Sequence, residues 1–160
     1  MARIATLLIL GALALSGQAD RNRLGLPNPP KPDIPYLIHG SDIRELEQVD
    51  AAEEITKNQL RYWIAGPAAA IRTPLAAPEF LFDSQLIDPR DLTLFGFEVK
   101  NGRRELLYRK KKKVVAEPYF LNVEGVAGRV IRIRINASLP PGEYGITPDG
   151  QNIVFTFSVF

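Results

Sequence analysis

Residues 129–160 constrain the fold more than any other stretch of the chain, because their apolar and polar residues alternate. Isoleucines occupy positions 131, 133 and 135, and Arg132 and Arg134 stand between them. Near the C-terminus, Thr156 and Ser158 alternate in the same way with apolar residues at positions 153, 155, 157 and 159. Successive side chains of a β-strand point to opposite faces, so this pattern predicts half-buried antiparallel strands.

A hairpin is predicted across residues 93–108, with its turn at Asn101-Gly102. Asn-Gly is the strongest short-range hairpin signal, because both central residues of the favoured turn need φ > 0. Pairing outward from this turn places Glu98 opposite Glu105, a repulsive pair that neighbouring basic residues must offset. The same register predicts three further cross-strand pairs: Val99 with Arg104, Phe97 with Leu106, and Phe95 with Tyr108.

Strand-like runs separated by turn residues recur through most of the chain, and they predict an all-β fold, an antiparallel β-sandwich of about seven to nine strands. Residues 41–60 are the exception. Their apolar spacing and a capping box of Asp42 and Glu45 favour one helix within residues 42–57. Lys57-Asn58, however, reads as a hairpin tip, and a sandwich favours strands here. Both interpretations stay open.

One short motif carries a resemblance to a known architecture. Leu139-x-Pro141-Gly142-x-Tyr144 resembles the tyrosine corner of immunoglobulin-like and fibronectin type III sandwiches. The resemblance implies an immunoglobulin-like β-sandwich in which the Tyr144 hydroxyl bonds to backbone a few residues upstream. It covers about a fifth of the chain, and the absence of cysteine excludes the inter-sheet disulfide of antibody domains. Because this architecture hosts many functions, no activity follows from it.

The N-terminal third divides into segments of different composition. Residues 1–19 combine Arg3, an apolar run over residues 4–15 and small residues before Asp20, which predicts a secretory signal peptide cleaved after Ala19. A retained anchor is the alternative, although the run is short for a membrane span. Residues 20–33 are rich in proline and predict an extended arm, either a spacer or a segment that docks on a partner. Residues 34–160 form the predicted sandwich domain.

Composition excludes several classes of function. The chain has 20 Lys and Arg against 18 Asp and Glu, so no global field favours nucleic acid, and no sequence-specific nucleic-acid reader is expected. His39 is the only histidine and cysteine is absent, so neither a metal site nor a catalytic triad is predicted. No cofactor motif occurs. We therefore expect a protein that is not an enzyme, without cofactor, metal or a transmembrane span in its mature chain.

Two groups of residues are candidates for binding. Tyr62 and Trp63 are adjacent on one strand, so one ring points outward if the other points inward. An exposed aromatic ring of this kind is a platform for sugars or for a protein partner. Burial of both rings is the alternative. The basic residues form one patch if their strands share a sheet. Otherwise the lysine run is a solvated loop, and Arg132 and Arg134 protect an exposed strand against edge-to-edge pairing. The basic residues of this group are Arg103, Arg104, Arg109, Lys110, Lys111, Lys112, Lys113, Arg132 and Arg134.

These observations together favour binding over catalysis. A leader peptide and a cysteine-free domain predict a protein that is secreted or periplasmic in a bacterium. We expect an accessory or structural subunit of an envelope or extracellular assembly, in contact with a protein partner of the cell envelope. The alternative is a module that binds an anionic or carbohydrate polymer through the basic residues and the exposed aromatic ring.

Overall fold

The computed structural model describes residues 21–160, and the regular elements within them are β-strands and one short 3₁₀ turn, Pro89–Asp91. The predicted signal peptide, residues 1–19, lies outside the described residues. The strands are β1 Tyr36–His39, β2 Asp42–Glu45, β3 Glu47–Asp50, β4 Ala52–Ile55, β5 Gln59–Ala65, β6 Arg72–Thr73, β7 Glu79–Asp83, β8 Leu92–Lys100, β9 Arg103–Lys110, β10 Lys113–Val114, β11 Leu121–Ala127, β12 Val130–Ile135, β13 Gly142–Pro148 and β14 Ile153–Val159.

The strands form antiparallel sheets, with β6 and β14 as a short parallel exception, and this confirms the predicted all-β, sandwich-like class. One sheet has the order β11-β12-β7-β1-β2, and the other has the order β3-β14-β13-β8-β9-β5-β4. The strands outnumber the seven to nine expected. Part of the excess arises because one stretch, residues 42–55, is divided into three strands at Leu46 and Ala51.

The segment left open between helix and strands consists of β2, β3, β4 and the start of β5. Each of the first three pairs with a different neighbour: β2 with β1, β3 with β14, and β4 with β5. Glu45, half of the predicted capping box, instead accepts hydrogen bonds from Lys31 Nζ at 2.9 Å and the Tyr36 hydroxyl at 3.0 Å. Backbone bonds between strands, in local hairpins for β2 and β4 and over a long range for β3, therefore override the helix signal.

The main core lies between the two sheets. The five-stranded sheet contributes fully buried side chains that include Phe80, Phe82 and Ile133, and the larger sheet contributes Phe155 and Phe157. The Phe80 and Phe157 rings pack with centroids 5.2 Å apart. The alternation of apolar positions in β12 and β14 thus buries one face of each strand against the other sheet, as that pattern predicts.

The larger sheet closes on itself into a ring of strands. Its two end strands, β3 and β4, are separated by Ala51 alone, so residues 47–55 pair with β14 on one side and with β5 on the other. Likewise β8 pairs with β13 over Leu92–Phe97 and with β9 over Glu98–Lys100. Strands that bend between two sheets in this way make the corners of orthogonally packed structures.

Closure of the ring buries the second face of β14. Thr156 and Ser158 do point away from the main core, as predicted, but they are buried inside the ring rather than exposed. The Ser158 hydroxyl donates to Glu143 at 2.6 Å and the Thr156 hydroxyl to Glu47 at 3.3 Å. Hydrogen bonding to carboxylates satisfies these polar groups inside the ring.

The hairpin at Asn101-Gly102 follows the predicted register near its turn and departs from it farther away. Both turn residues have positive φ, 53° and 72°, and Glu98 pairs with Glu105 and Val99 with Arg104. The predicted cross-strand pairs of Phe97 with Leu106 and of Phe95 with Tyr108 do not form, because β8 leaves β9 and these phenylalanines lie opposite Glu143 and Gly145 of β13. The Phe95 and Tyr108 rings nevertheless meet edge-to-face. The bend in β8 is a tertiary feature of the ring.

The N-terminal arm is folded onto the domain over its first residues. Arg21 and Pro27 form a β-bridge around a turn at Gly25, and Leu26 is buried against Leu81 and Val126 on the outer face of the five-stranded sheet. Residues 21–27 are therefore part of the packed domain rather than an extended arm.

The motif that carries the immunoglobulin-like resemblance has the expected hydrogen bond. The Tyr144 hydroxyl donates to the Pro140 carbonyl at 2.6 Å. A Cβ at Gly142 would lie 3.5 Å from the Tyr144 ring, an ordinary van der Waals contact, so the space beside the ring does not by itself require glycine. Burial raises the pKa of Tyr144 to about 12, so the hydroxyl keeps its proton and stays a donor.

Candidate ligand-binding surfaces

The lysine-rich turn between β9 and β10 lies beside a second basic residue that is distant in sequence. The five residues Arg109, Lys110, Lys111, Lys112 and Lys113 are all exposed. The backbone N–H of Lys111 donates to the Asn58 carbonyl, which ties this turn to the β4–β5 turn and brings Lys57 next to it. We name these six basic residues, 57 and 109–113, the lysine tip.

The lysine tip surrounds a shallow depression of about 210 Å³. Lys57, Arg109, Lys111 and Lys112 contribute to its wall, together with polar residues of the β4–β5 turn. Within residues 21–160, no carboxylate lies within ion-pairing distance of a lysine-tip side chain. The tip is a local concentration of positive charge without internal compensation.

The arginines that precede the tip in β9 are structural in their contacts. Arg104 is buried, and its guanidinium donates to the carbonyls of Ala65 at 3.1 Å and Gly66 at 3.2 Å. Arg103 binds Glu105 and lies 3.2 Å from Glu54. The side chains of Arg103 and Arg104, both predicted to bind a ligand, are thus occupied by contacts within the protein.

Glu105 joins neighbouring strands of the ring through its ion pairs. It is buried, with Arg61 at 2.6 Å from β5 on one side and Arg103 of its own strand on the other. The hydrogen bond from Arg103 lowers the pKa of Glu105, and the hydrogen bond from Arg61 acts in the same direction against burial. The repulsion predicted between Glu98 and Glu105 is offset here by two arginines.

Arg132 and Arg134 belong to the five-stranded sheet, whereas β9 belongs to the ring. The condition for one continuous basic patch is therefore not met. Arg132 binds Glu79 through two nitrogens, and Arg134 lies 3.1 Å from Glu124. These two arginines are neutralised on their own sheet.

Tyr62 and Trp63 point to opposite faces of β5, as adjacent strand residues must. Trp63 lies on the outer face with the Arg103 guanidinium 4.9 Å from its ring centroid, and it is partly exposed. Tyr62 points into the ring, where its aromatic group meets Tyr108 edge-to-face with centroids 5.7 Å apart. The two residues therefore belong to different surfaces.

The open end of the ring contains a pocket of about 360 Å³. Tyr62, Tyr108 and Phe95 form aromatic walls, and Glu53 and Asp149 contribute carboxylates at its edge. Val154 lies at its inner side, where Gly145 leaves room for it. Burial, followed by the charge of Glu53, raises the pKa of the Tyr62 hydroxyl. No lysine or arginine lines the pocket.

The opposite end of the ring is closed by polar contacts. Glu143 accepts from the Ser158 hydroxyl and from the Ala69 backbone N–H at 2.8 Å, and Glu47 accepts from the Ala70 N–H at 3.5 Å. The loop after β5 thereby covers this end of the ring. The pocket lies at the other end, near Tyr62.

Sequence reasoning identified Tyr62 and the lysine run but missed their partners. Lys57, Glu53, Tyr108 and Asp149 reach the two surfaces through strand pairings that connect distant parts of the chain. The hairpin tip at Lys57-Asn58 was a usable signal for Lys57. No local signal marks Asp149, because it comes to line the same pocket as Glu53 only in the folded ring.

Comparison with known proteins identifies no relative. No protein-family model matches the chain, and no significant match was found among curated proteins or solved structures. In the part of the chain that the structure covers, no helix is long and apolar enough to cross a bilayer. Residues 21–160 also contain no group of three or more His, Cys, Asp or Glu placed to hold a metal ion.

Proposed function

We propose that this protein is an exported, non-catalytic binding protein, an accessory or structural subunit of a bacterial envelope or extracellular assembly. The observation that carries the proposal is the lysine tip, an exposed group of basic residues without internal acidic partners. The leader-like composition of residues 1–19 supports secretion or residence in the periplasm. The single histidine and the lack of cysteine support a role without catalysis.

The charge distribution supports the tip as a binding surface. Many other arginines are paired with acids, as Arg129 with Asp83 and Arg132 with Glu79 illustrate. The lysine tip instead places Lys57, Arg109, Lys111 and Lys112 around one depression. Repulsion between neighbouring like charges is incompletely screened below a Debye length of roughly 8–10 Å at physiological ionic strength. An acidic partner would relieve that repulsion and be attracted over the same distance.

Apolar side chains at the same tip support a protein as the partner. Ile55, Val114 and Val115 are 69%, 59% and 43% exposed. Ile55 and Val114 lie in one row of cross-strand pairs, through Leu60 and Arg109, so they stand about 14 Å apart at three strand spacings. Exposed apolar residues beside uncompensated charge are typical of interfaces with an acidic protein surface.

An anionic or carbohydrate polymer is the second candidate. The depression of about 210 Å³ places Arg109, Lys111 and Lys112 around one hollow, a size and charge that suit repeated anionic groups. Polymer binding of this kind depends steeply on salt, whereas an interface that also buries Ile55 and Val114 depends on salt less.

We also propose that the domain is an immunoglobulin-like sandwich. The Tyr144–Pro140 hydrogen bond supports this classification. Closure of the larger sheet into a ring is an addition to that architecture, and a solved relative with the same strand order would test it.

The proposed function is tested by capture from the native envelope fraction. Purified protein serves as bait at low salt and at high salt, and bound material is analysed for protein, polysaccharide and nucleic acid. We expect a defined acidic protein that is partly retained at high salt. Capture of polysaccharide that is lost at high salt would instead favour the polymer alternative.

Charge-reversal variants locate the surface. Lys57→Glu with Lys112→Glu should abolish capture, because both side chains line the depression. Arg44→Glu with Lys100→Glu is the matched control, since it changes the net charge equally at exposed residues outside the tip. Equal loss in both variants would show only a nonspecific charge effect, and unchanged capture in the tip variant would overturn the proposal.

A further inference from the structure

The pocket at the open end of the ring has a chemical character opposite to that of the protein as a whole. The chain has a sequence pI of about 9.0, yet the pocket contains two carboxylates, Glu53 and Asp149, and no basic side chain. A cavity of about 360 Å³ lies at the lower end of the roughly 300–1,000 Å³ of small-molecule sites. This pocket is separate from the lysine tip.

The aromatic walls of the pocket are arranged at steep angles. The Tyr62 and Tyr108 planes meet at 76°, and the Phe95 and Tyr108 planes at 80°, with the latter centroids 6.4 Å apart. A ligand in this pocket therefore contacts the faces of some aromatic rings and the edges of others. Ring faces attract cations through the aromatic quadrupole, most strongly where water is partly excluded.

We propose that this pocket binds an organic ammonium group, held against the rings of Tyr62, Tyr108 and Phe95 and neutralised by Glu53 and Asp149. Anionic ligands are disfavoured because both charged groups on the lining are acidic. A metal ion is disfavoured because residues 21–160 contain no group of three or more His, Cys, Asp or Glu placed to hold one. A bulky, weakly hydrated ammonium group suits both the rings and the acids.

Local packing keeps the pocket open. Gly145 faces the ring interior, and a Cβ there would lie 2.4 Å from Val154 and 2.7 Å from Phe97. Val154 and Phe97 therefore fill the interior of the strand ring beside Gly145. Thr147, the next inward residue of β13, is short, and its hydroxyl donates to the Ile153 carbonyl at 2.8 Å. No large side chain from β13 enters the open end.

The test is a titration of the isotope-labelled protein followed by amide chemical shifts. Choline and tetramethylammonium are the probes, and 3,3-dimethylbutan-1-ol is the neutral isostere of choline, all at constant ionic strength. We expect saturable shifts confined to residues around Glu53, Phe95 and 147–152. The neutral isostere should bind at least about tenfold more weakly, because it lacks the charge.

Variants of the pocket residues distinguish the contribution of the carboxylate charges to binding from that of the aromatic rings. Glu53→Gln and Asp149→Asn should each weaken choline binding about threefold or more, and Tyr108→Leu should weaken it further. Tyr62→Phe keeps the ring and should leave affinity within about twofold. If Tyr108→Leu fails to fold, the two carboxylate variants, which are at exposed residues, still test the proposal.

Glu98→Gln is the matched control, because Glu98 is exposed and points away from the ring interior on the same strand as Phe95. It should leave choline affinity unchanged. Three outcomes would overturn the proposal: equal affinity for choline and its neutral isostere, saturable binding of glucose that ignores Glu53→Gln, or no saturable shift with any ammonium probe. None of these outcomes depends on whether the lysine tip binds a partner.

Discussion

Gly145 occupies the tightest position in the ring. Its place on β13 lies between Val154 of the neighbouring strand and the Phe97 ring, and any side chain would overlap both. Its φ is not in the left-handed region. The requirement for glycine here is therefore one of space and not of backbone conformation, in contrast to Gly102 in the hairpin turn.

Gly145→Ala should lower the free energy of unfolding by about 1–3 kcal/mol, the usual cost of overpacking an interior. Gly125→Ala is the control, because Gly125 also lies in a strand but has no heavy atom within 4 Å of the added Cβ. Urea denaturation measures both. Equal effects at the two positions would contradict the steric explanation.

Asp33 fixes the start of the domain to the loop after β7. Its carboxylate accepts the backbone N–H groups of Gln85, Leu86 and Ile87 at 2.9–3.0 Å. Burial alone would raise the pKa of Asp33, but these three donors, with Ile87 foremost, and Arg129 hold it below its ordinary value.

Because the folded pKa of Asp33 is depressed, its contribution to stability is complete above the unfolded pKa of about 3.9 and is lost as the pH falls through the folded value. Asp33→Asn should therefore destabilise the protein by about 1 kcal/mol at pH 7. The difference from the parent protein should shrink below about pH 4. Urea midpoints at several pH values test this; a pH-independent difference would exclude the charge as its cause.

At the scale of elements, the N-terminal segment acts as a cover for the five-stranded sheet. Leu24 and Leu26 lie over Leu81 and Val126, while Arg23 reaches Glu124 and the Gly125 carbonyl of β11. The proline-rich composition of residues 20–33 predicts an extended arm. It does not reveal the two leucines as a packing surface, because their apolar partners are on distant strands.

Leu26→Ala should lower the free energy of unfolding by about 2 kcal/mol, since it removes a side chain that is only 7% exposed. The control is Leu86→Ala, at a leucine that is 88% exposed, which should change stability by less than about 0.5 kcal/mol. Denaturant midpoints compare the two. If Leu26→Ala behaves like Leu86→Ala, the cover makes no energetic contribution.

In the β8–β9 hairpin, too, the sequence predicts the element but not all of its neighbours. Its turn and first pairs follow from Asn101-Gly102, because a two-residue turn fixes the local register. Farther from the turn, Phe95 and Phe97 alternate correctly but pair with β13 instead of β9. The alternation predicts which face is apolar; it does not predict which strand lies opposite.

At the scale of the whole molecule, the sandwich and the ring share strands. β13 and β14 present Tyr144, Ile146 and Phe157 to the main core, and Val154 to the ring interior. Neither layer can lose these strands without exposing the apolar surface of the other. The two layers should therefore fold and unfold as one cooperative unit.

Trp63, the only tryptophan, reports on the ring, whereas Tyr119 and Tyr144, with centroids 5.9 Å apart, belong to the sandwich core. We expect tryptophan fluorescence and far-ultraviolet circular dichroism to give coincident urea transitions, within about the 10–15% precision of such extrapolations. An earlier fluorescence transition would show that the ring opens first and would contradict the shared-strand argument.

The amino-acid sequence predicts the all-β class, the apolar face of β12 and β14, the turn at Asn101-Gly102 and, through the tyrosine-corner resemblance, the hydrogen bond of Tyr144. Each of these depends on side-chain alternation or on the backbone of a few adjacent residues. Three features are known from the fold and not from the sequence: residues 42–55 form strands, the larger sheet closes, and Tyr62 lies beside Tyr108 and Glu53. The physical reason is that strand pairing is made by backbone hydrogen bonds, which carry no side-chain signature of the partner strand.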